Sequence, residues 1–472
     1  MHGAMLEPNP WMVLPFVLLL AAIALGPLVW AHGWHKHYPK VALSLGAVTL
    51  VYYWLGLGAV ERIGHTAHEY VSFIALIGSL FIVSGGIHIT VKGEATPFAN
   101  VVFLLVGAVI ANVLGTTGAS MLLIRPWLRM NKYRLTAHHV VFFIFIVANV
   151  GGCLTPIGDP PLFLGYLKGI PFWWVLEHCW PMWLVGVGSL LAIFYVLDRR
   201  NFLRAPREVR EKETGGGEQW QFRGLHNVAF LAVILGAVFI QNPPFLREVI
   251  MVAAAVGSYL TTPRPVHEAN DFNFEPIREV AILFIGIFAT MMPALDWLQL
   301  HARELGEPTP ALFYWGTGVL SAVLDNAPTY LSFLSAAVGV FAPPPVLQQL
   351  QNAIAQGLSP GAVQDSIIRG ALEGMAKYFP HELATGQPST EHLQLSVLLG
   401  PPENNLFIIA ISIGAVFFGA CTYIGNGPNF MVKSIAEHQK AHVPSFLGYV
   451  FRFTLPYLLP VLALTWWIFF RS

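Results

Sequence analysis

Charge is scarce in this sequence. Of its 472 residues only 11% are Asp, Glu, Lys or Arg, against about 25% in an average soluble domain, while 55% are hydrophobic. Most of the surface must therefore face lipid. The 26 basic and 26 acidic residues cancel, which leaves no charge excess to attract nucleic acid or a strongly charged partner. Three cysteines, Cys153, Cys179 and Cys421, are too few and too scattered for a disulfide framework or a metal-ligand spacing. Also missing are HExxH, GxSxG and GxxxxGK[ST], so metalloprotease, serine-hydrolase and ATP-hydrolysing readings lack support. No enzyme activity and no cofactor are expected. The first ten residues carry no Lys or Arg, so the first apolar run reads as a permanent span and not as a cleaved leader. The absence of an ER-retention or organelle-transit signal makes a bacterial plasma (inner) membrane the expected location of this multi-pass chain.

What is present is a series of apolar runs long enough to cross a bilayer, which takes roughly 20 residues per helix. Such runs lie near 10–31, 40–60, 67–91, 172–197, 225–241, 247–262, 276–300 and 446–470. Four further stretches are interrupted at their centres: 98–130 at Gly115, 136–167 at Gly158, 309–340 at Asp325 and 404–436 at Gly425. Broken backbone at membrane depth survives only where it is buried in protein or lines a polar cavity. Pairs of such breaks point to a transport site.

Treating 98–130 and 309–340 as re-entrant hairpins, and 136–167 and 404–436 as broken spans, gives five crossings and one hairpin per half. Both termini then lie on the outer (periplasmic) side. Eighteen of the 26 Lys and Arg fall on the cytoplasmic side and seven outside, with Arg452 inside the last span, as the positive-inside rule requires. The fold class read from this is an all-α polytopic membrane protein of two inverted repeats, 1–197 and 225–472, joined by a basic cytoplasmic linker at 198–224. Motif spacing supports the repeat. TPIGDPP at 155–161 and TYIGNGP at 422–428 share Thr, Ile, Gly, an Asx and a final Pro at the same offsets. The hairpin segments VLGTTGASMLLI and VLDNAPTYLSFL align more weakly. The second half holds about 57 more residues between hairpin and break, matching a polar stretch at 342–403 that reads as an insertion outside the membrane. A helix after Ser359, with Val363, Ile367, Ile368, Leu372 and Met375 on one face, is expected there.

Two acids coincide with breaks. An ionisable group at bilayer depth costs roughly 2.5–3.5 kcal/mol on insertion scales, so Asp159 and Asp325 are the leading functional candidates, with capping of a broken helix end as the other role. Repeat symmetry predicts two clusters with one carboxylate each: Thr116, Thr117 and Ser120 with Thr155, Gly158 and Asp159; and Asp325, Asn326 and Thr329 with Thr422, Gly425 and Asn426. Carboxylate, hydroxyl and carbonyl oxygens suit a hard cation such as sodium. Na+ is thus expected at the Asp159 and Asp325 clusters as transported or coupling ion, and a proton competing for the same carboxylate suffices for antiport. His88, His138 and His139 read as interfacial, and Trp173, Trp174, Trp466 and Trp467 as an aromatic belt.

Together GTTGAS, TPIGDPP, LDNAPT and TYIGNGP resemble the ion transporter superfamily, and within it NhaD-like sodium/proton antiporters. The resemblance covers about 98–167 and 309–436. It implies a scaffold domain, a mobile transport domain holding both hairpins, and frequently a homodimer. Sodium/proton exchange by alternating access is the activity it implies, with a small inorganic cation, a proton and the bilayer as partners. Citrate- or dicarboxylate-type carriers of the superfamily use Ser-Asn-Thr hairpin tips, which neither tip here has. The Asp325–Thr329 tip is also similar to that of arsenite carriers. Organic-acid or arsenite carriage is therefore the alternative.

Overall fold

The computed structural model describes residues 7–92, 95–214, 219–240, 242–386 and 388–471. The first six residues, whose lack of basic groups bears on a leader, and 215–218 of the linker lie outside the described residues. The described chain is almost wholly helical. Seven helices are long and apolar enough to cross a membrane, or eight if the bent pair Asn326–Phe341 and Pro344–Ala355 is one span. Their outward faces carry large apolar side chains such as Leu18, Val71, Val109, Leu184 and Trp467, an exposure that suits lipid and not water. The chain is thus an all-α polytopic membrane protein.

Several boundaries differ from the sequence reading. The gap between the apolar runs 10–31 and 40–60 is not a loop: after a break at Trp30 the helix Ala31–Val51 spans it and includes Lys36 and Lys40, which the sequence reading counts among the cytoplasmic loop cations. The third span stops at Gly85, and His88–Lys92 pairs antiparallel with Gln219–Arg223 as a two-stranded ribbon. His88 is buried, its Nδ1 2.8 Å from Asn270 Oδ1. The linker begins later than 198, because Trp174–Arg204 is one helix. Trp174 is buried with its ring stacked on His178, so it does not belong to a belt. In the 342–403 region the helix is Ser366–Tyr378, and its cap is Asp365, whose carboxylate accepts from Ile367 N and Ile368 N; Val363 and Ser359 precede it. Ile368, Leu372 and Met375 form its buried face.

The 34-residue helical segment Pro97–Met130 is not straight. Asn100 Nδ2 donates to Asn131 Oδ1 at 2.8 Å, residues that a continuous helix would hold about 46 Å apart. Phe103 stacks on Trp127, and a Cβ on Gly107 would lie 3.3 Å from Leu123. The chain reverses at Gly115, where φ is 74°, a conformation open to glycine and costly for other residues. Its counterpart is Pro310–Val323 followed by Asn326–Phe341, whose arms meet through Phe313 and Phe333 at 5.8 Å. At the centre lie Ala137–Ile146 and Pro402–Gly419, whose apolar stretches Val140–Ile146 and Phe407–Ile411 are wholly buried, as residues apolar on every face require. Around them, Ala31–Val51 crosses Glu275–His301 closely: a Cβ on Gly286 would come within 2.7 Å of Ala42 O. Small residues permit that approach.

The open end of the first hairpin is closed by a buried ionic knot. Arg134 pairs with Asp198 and donates to Ala95 O. Asn100 Nδ2 donates to Asp198 Oδ2 at 2.8 Å, and His139 Nε2 lies 3.0 Å from Oδ1. Hairpin, broken helix and the helix Trp174–Arg204 are joined there. Replacing Asp198 by Ala takes from Arg134 the carboxylate that balances its buried charge, a loss of about 3–5 kcal/mol. The expected result is a marked fall in the thermal midpoint of detergent-solubilised protein; an unchanged midpoint would show that the knot is dispensable.

Candidate functional site

Each half brings a chain reversal and a helix break together by the same backbone logic. In the first, Thr155 Oγ1 donates to Asn112 O at 2.6 Å and accepts from Gly158 N at 3.1 Å. In the second, Thr422 Oγ1 donates to Ala322 O at 2.6 Å and accepts from Gly425 N at 3.1 Å. The threonine hydroxyls satisfy groups that the unwound turns have freed. Gly158 and Gly425 are tightly enclosed: a Cβ on either would meet Gly152 O at 2.1 Å or Gly419 O at 2.7 Å. The hairpin positions 112 and 322, and the break positions 155 and 422, keep the motif offsets found in the sequence.

These two constructions converge on one carboxylate. Asp159 Oδ1 accepts from Thr116 Oγ1 at 2.6 Å and from Asn426 Nδ2 at 3.0 Å. Its Oδ2 accepts from Asn326 Nδ2 at 2.6 Å. Thr116 and Asn326 occupy equivalent positions on the two reversals, and Asp159 and Asn426 on the two breaks. The separate clusters anticipated for each half are therefore a single cluster, because the two breaks abut across the centre. Each of the four residues sits at the start of a helical segment, and helix starts favour negative charge. Asp159 supplies that charge and is fully buried.

Asp325 is bonded differently. Its Oδ1 accepts from Ala327 N at 3.0 Å as the cap of Asn326–Phe341, while Asp159 makes no such capping bond. Thr329 Oγ1 donates to Asp325 O at 3.0 Å. Gly158 O accepts from Thr116 N at 2.7 Å, tying tip to break. Thr117 lines a cavity of about 20 Å³ with Asp159, Gly158, Leu76 and Leu80. That volume suits one water-sized particle. Ser120 is buried outside its lining, and its hydroxyl has no hydrogen-bond partner among the described residues.

Sequence reasoning missed the asparagines that brace this centre. Asn149 Nδ2 donates to Asn429 Oδ1 at 2.6 Å, and Asn149 Oδ1 accepts from Asn426 Nδ2 at 3.1 Å. Asn429 Nδ2 donates to the carbonyls of Gly419 and Thr422. Asn112 bonds Ala108 O, Gly151 O and Leu154 N. Buried amides within otherwise apolar runs were the available signal. Asn326 is the most informative of the group. Its Nδ2 faces the ionised Asp159 carboxylate, since the reverse flip would oppose two acceptors; the remaining Oδ1 is buried with no hydrogen-bond partner among the described residues.

A family model described as "Putative citrate transport" matches residues 5–470. The chain belongs to that family. No curated protein matches the chain. Family membership and helical architecture together make it a multi-pass membrane protein of a transport family, and the reversals and breaks just described lie within the matched span.

The cap and the central carboxylate separate by mutation. Asn caps helices about as well as Asp, whereas Ala loses typically ~1 kcal/mol. Asp325→Asn should therefore keep the wild-type thermal midpoint and Asp325→Ala should lower it modestly. Equal losses in both variants would contradict the capping role.

Proposed function

We propose that the protein is a secondary transporter in which Asp159 carries either a proton or a sodium or lithium ion, exchanging one for the other by alternating access. The observation that supports this most is Asn326: bound to Asp159 through its amide N–H, it is left with a buried, partnerless carbonyl oxygen beside the carboxylate. A buried acceptor without a donor is costly, and a hard cation satisfies it together with a carboxylate oxygen and nearby hydroxyls. A carboxylate has about four acceptor positions, and Asp159 uses three. None of those three partners is basic. An external anion would need the helix starts that Asp159 already occupies.

The matching hydrogen bonds of the two halves support two inverted repeats around this centre, with 98–130 and 309–340 as re-entrant hairpins and rocking of one module exposing Asp159 to each side in turn. The bacterial inner membrane, outer-facing termini and a homodimer complete this reading. Of the two original carboxylate sites, only the Asp159 cluster is retained as the cation site.

A second reading, carriage of citrate or a related organic acid, is favoured by the family description and by Arg125. This residue lies on the arm that begins at Thr116; its side chain is buried, and its Nε and Nη1 have no hydrogen-bond partner among the described residues. Only Nη2 approaches Asp271, at 3.5 Å. A substrate carboxylate would meet that demand.

Proton flux in sealed proteoliposomes carrying a pH gradient distinguishes the readings. Sodium or lithium should collapse the gradient in wild type and in Arg125→Gln, and should fail in Asp159→Asn. A response to citrate alone, lost in Arg125→Gln, would overturn cation exchange in favour of organic-acid carriage.

A further inference from the structure

The last span, Phe446–Phe469, contains an arginine that is not among the partners of Asp159. Arg452 lies six residues from the start of the span, about 9 Å along the helix axis. It is exposed and forms no ion pair among the described residues. Its stretch, Val450–Leu458, is π-helical and contains Pro456. An unpaired cation on a membrane-facing surface requires a counter-charge or a route to water.

Arg452 borders an open cavity of about 470 Å³ whose walls combine His442 and Ser445 with Leu447, Phe451 and Phe453. No acidic residue lines it. Such a mixture of cation, hydroxyl and apolar rings at the end of a span matches a molecule with an anionic head and an apolar tail. A soluble anion would gain nothing from Leu447 and Phe451, both 63% exposed. We propose that this cavity binds the phosphate headgroup of an anionic phospholipid, with Arg452 as its principal ligand and the apolar wall receiving the start of an acyl chain.

The segment that carries the cavity wall is bonded to the second break, through the wall residue Pro444 and through Tyr449 and Thr454 beside it. Tyr449 Oη donates to Ala420 O at 2.8 Å, Thr454 Oγ1 to Cys421 O at 2.7 Å, and Tyr423 Oη to Pro444 O at 3.1 Å. The same break ends at Asn426, a donor to Asp159. A bound headgroup therefore steadies the segment that holds one side of the central cluster. It does so at a distance from the cavity beside Asp159.

The test is retention of phosphatidylglycerol against phosphatidylcholine by the full-length protein, measured by native mass spectrometry after extraction from mixed-lipid nanodiscs. Wild type and Arg452→Lys should prefer phosphatidylglycerol, and Arg452→Gln should lose about five-fold of that preference. Lys440→Gln, which changes an exposed cation that does not line the cavity, should keep it. Unchanged preference in Arg452→Gln, or equal loss in Lys440→Gln, would overturn the assignment. So would displacement of the lipid by soluble glycerol phosphate, which would make this a site for a free anion.

Discussion

A carboxylate removed from water needs donors, and the donors of Asp159 come from three different chain interruptions. Almost every unusual feature of the interior follows from that need. Thr116 can reach it only because the chain reverses at Gly115. Asn326 reaches it because Asp325 caps the helix that follows the second reversal. Asn426 reaches it because the helix Pro402–Gly419 stops short and a new one starts at Gly427. Each interruption frees backbone groups in an apolar interior, where an unmet group is expensive. The threonines at 155 and 422 and the asparagines at 112, 149 and 429 meet them.

The arrangement also explains why asparagine and threonine, and not lysine or arginine, surround the acid. A permanent cation beside Asp159 would fix its charge in one state. Neutral donors hold its position while leaving its charge open to a proton or a metal ion, the property that the proposed exchange requires. The cations of the interior lie elsewhere. Arg134 is committed to Asp198 at the base of the hairpin, Lys168 to Glu69 at 2.6 Å and Arg62 to Asp296 at 2.9 Å. These pairs join helices and are separate from the central cluster.

Much of this was legible in the sequence, for particular reasons. Helical spans follow from apolar run length, and the interruptions stand out because Gly, Pro and Asx are costly inside such runs. The offsets of TPIGDPP and TYIGNGP located the equivalent Thr155 and Thr422. Less was recoverable about which Asx turns inward: Asp159 and Asp325 both sit at helix starts, and only the packing of the two breaks against each other makes one a hub and the other a cap. The same packing merged two anticipated clusters into one. The ribbon between His88–Lys92 and Gln219–Arg223, and the pairing of Arg134 with Asp198, join residues far apart in the chain, where local patterns carry no signal. Lys36 and Lys40 lie well inside Ala31–Val51, but the polar and proline-containing run HGWHKHYPK has the composition of a loop.

The most direct measurement is proton release when sodium is added to purified protein in weakly buffered detergent solution. Wild type and Asp325→Asn should release protons on binding sodium, and Asp159→Asn should release none. Release that persists in Asp159→Asn would contradict the assignment of this carboxylate as the shared seat of proton and cation.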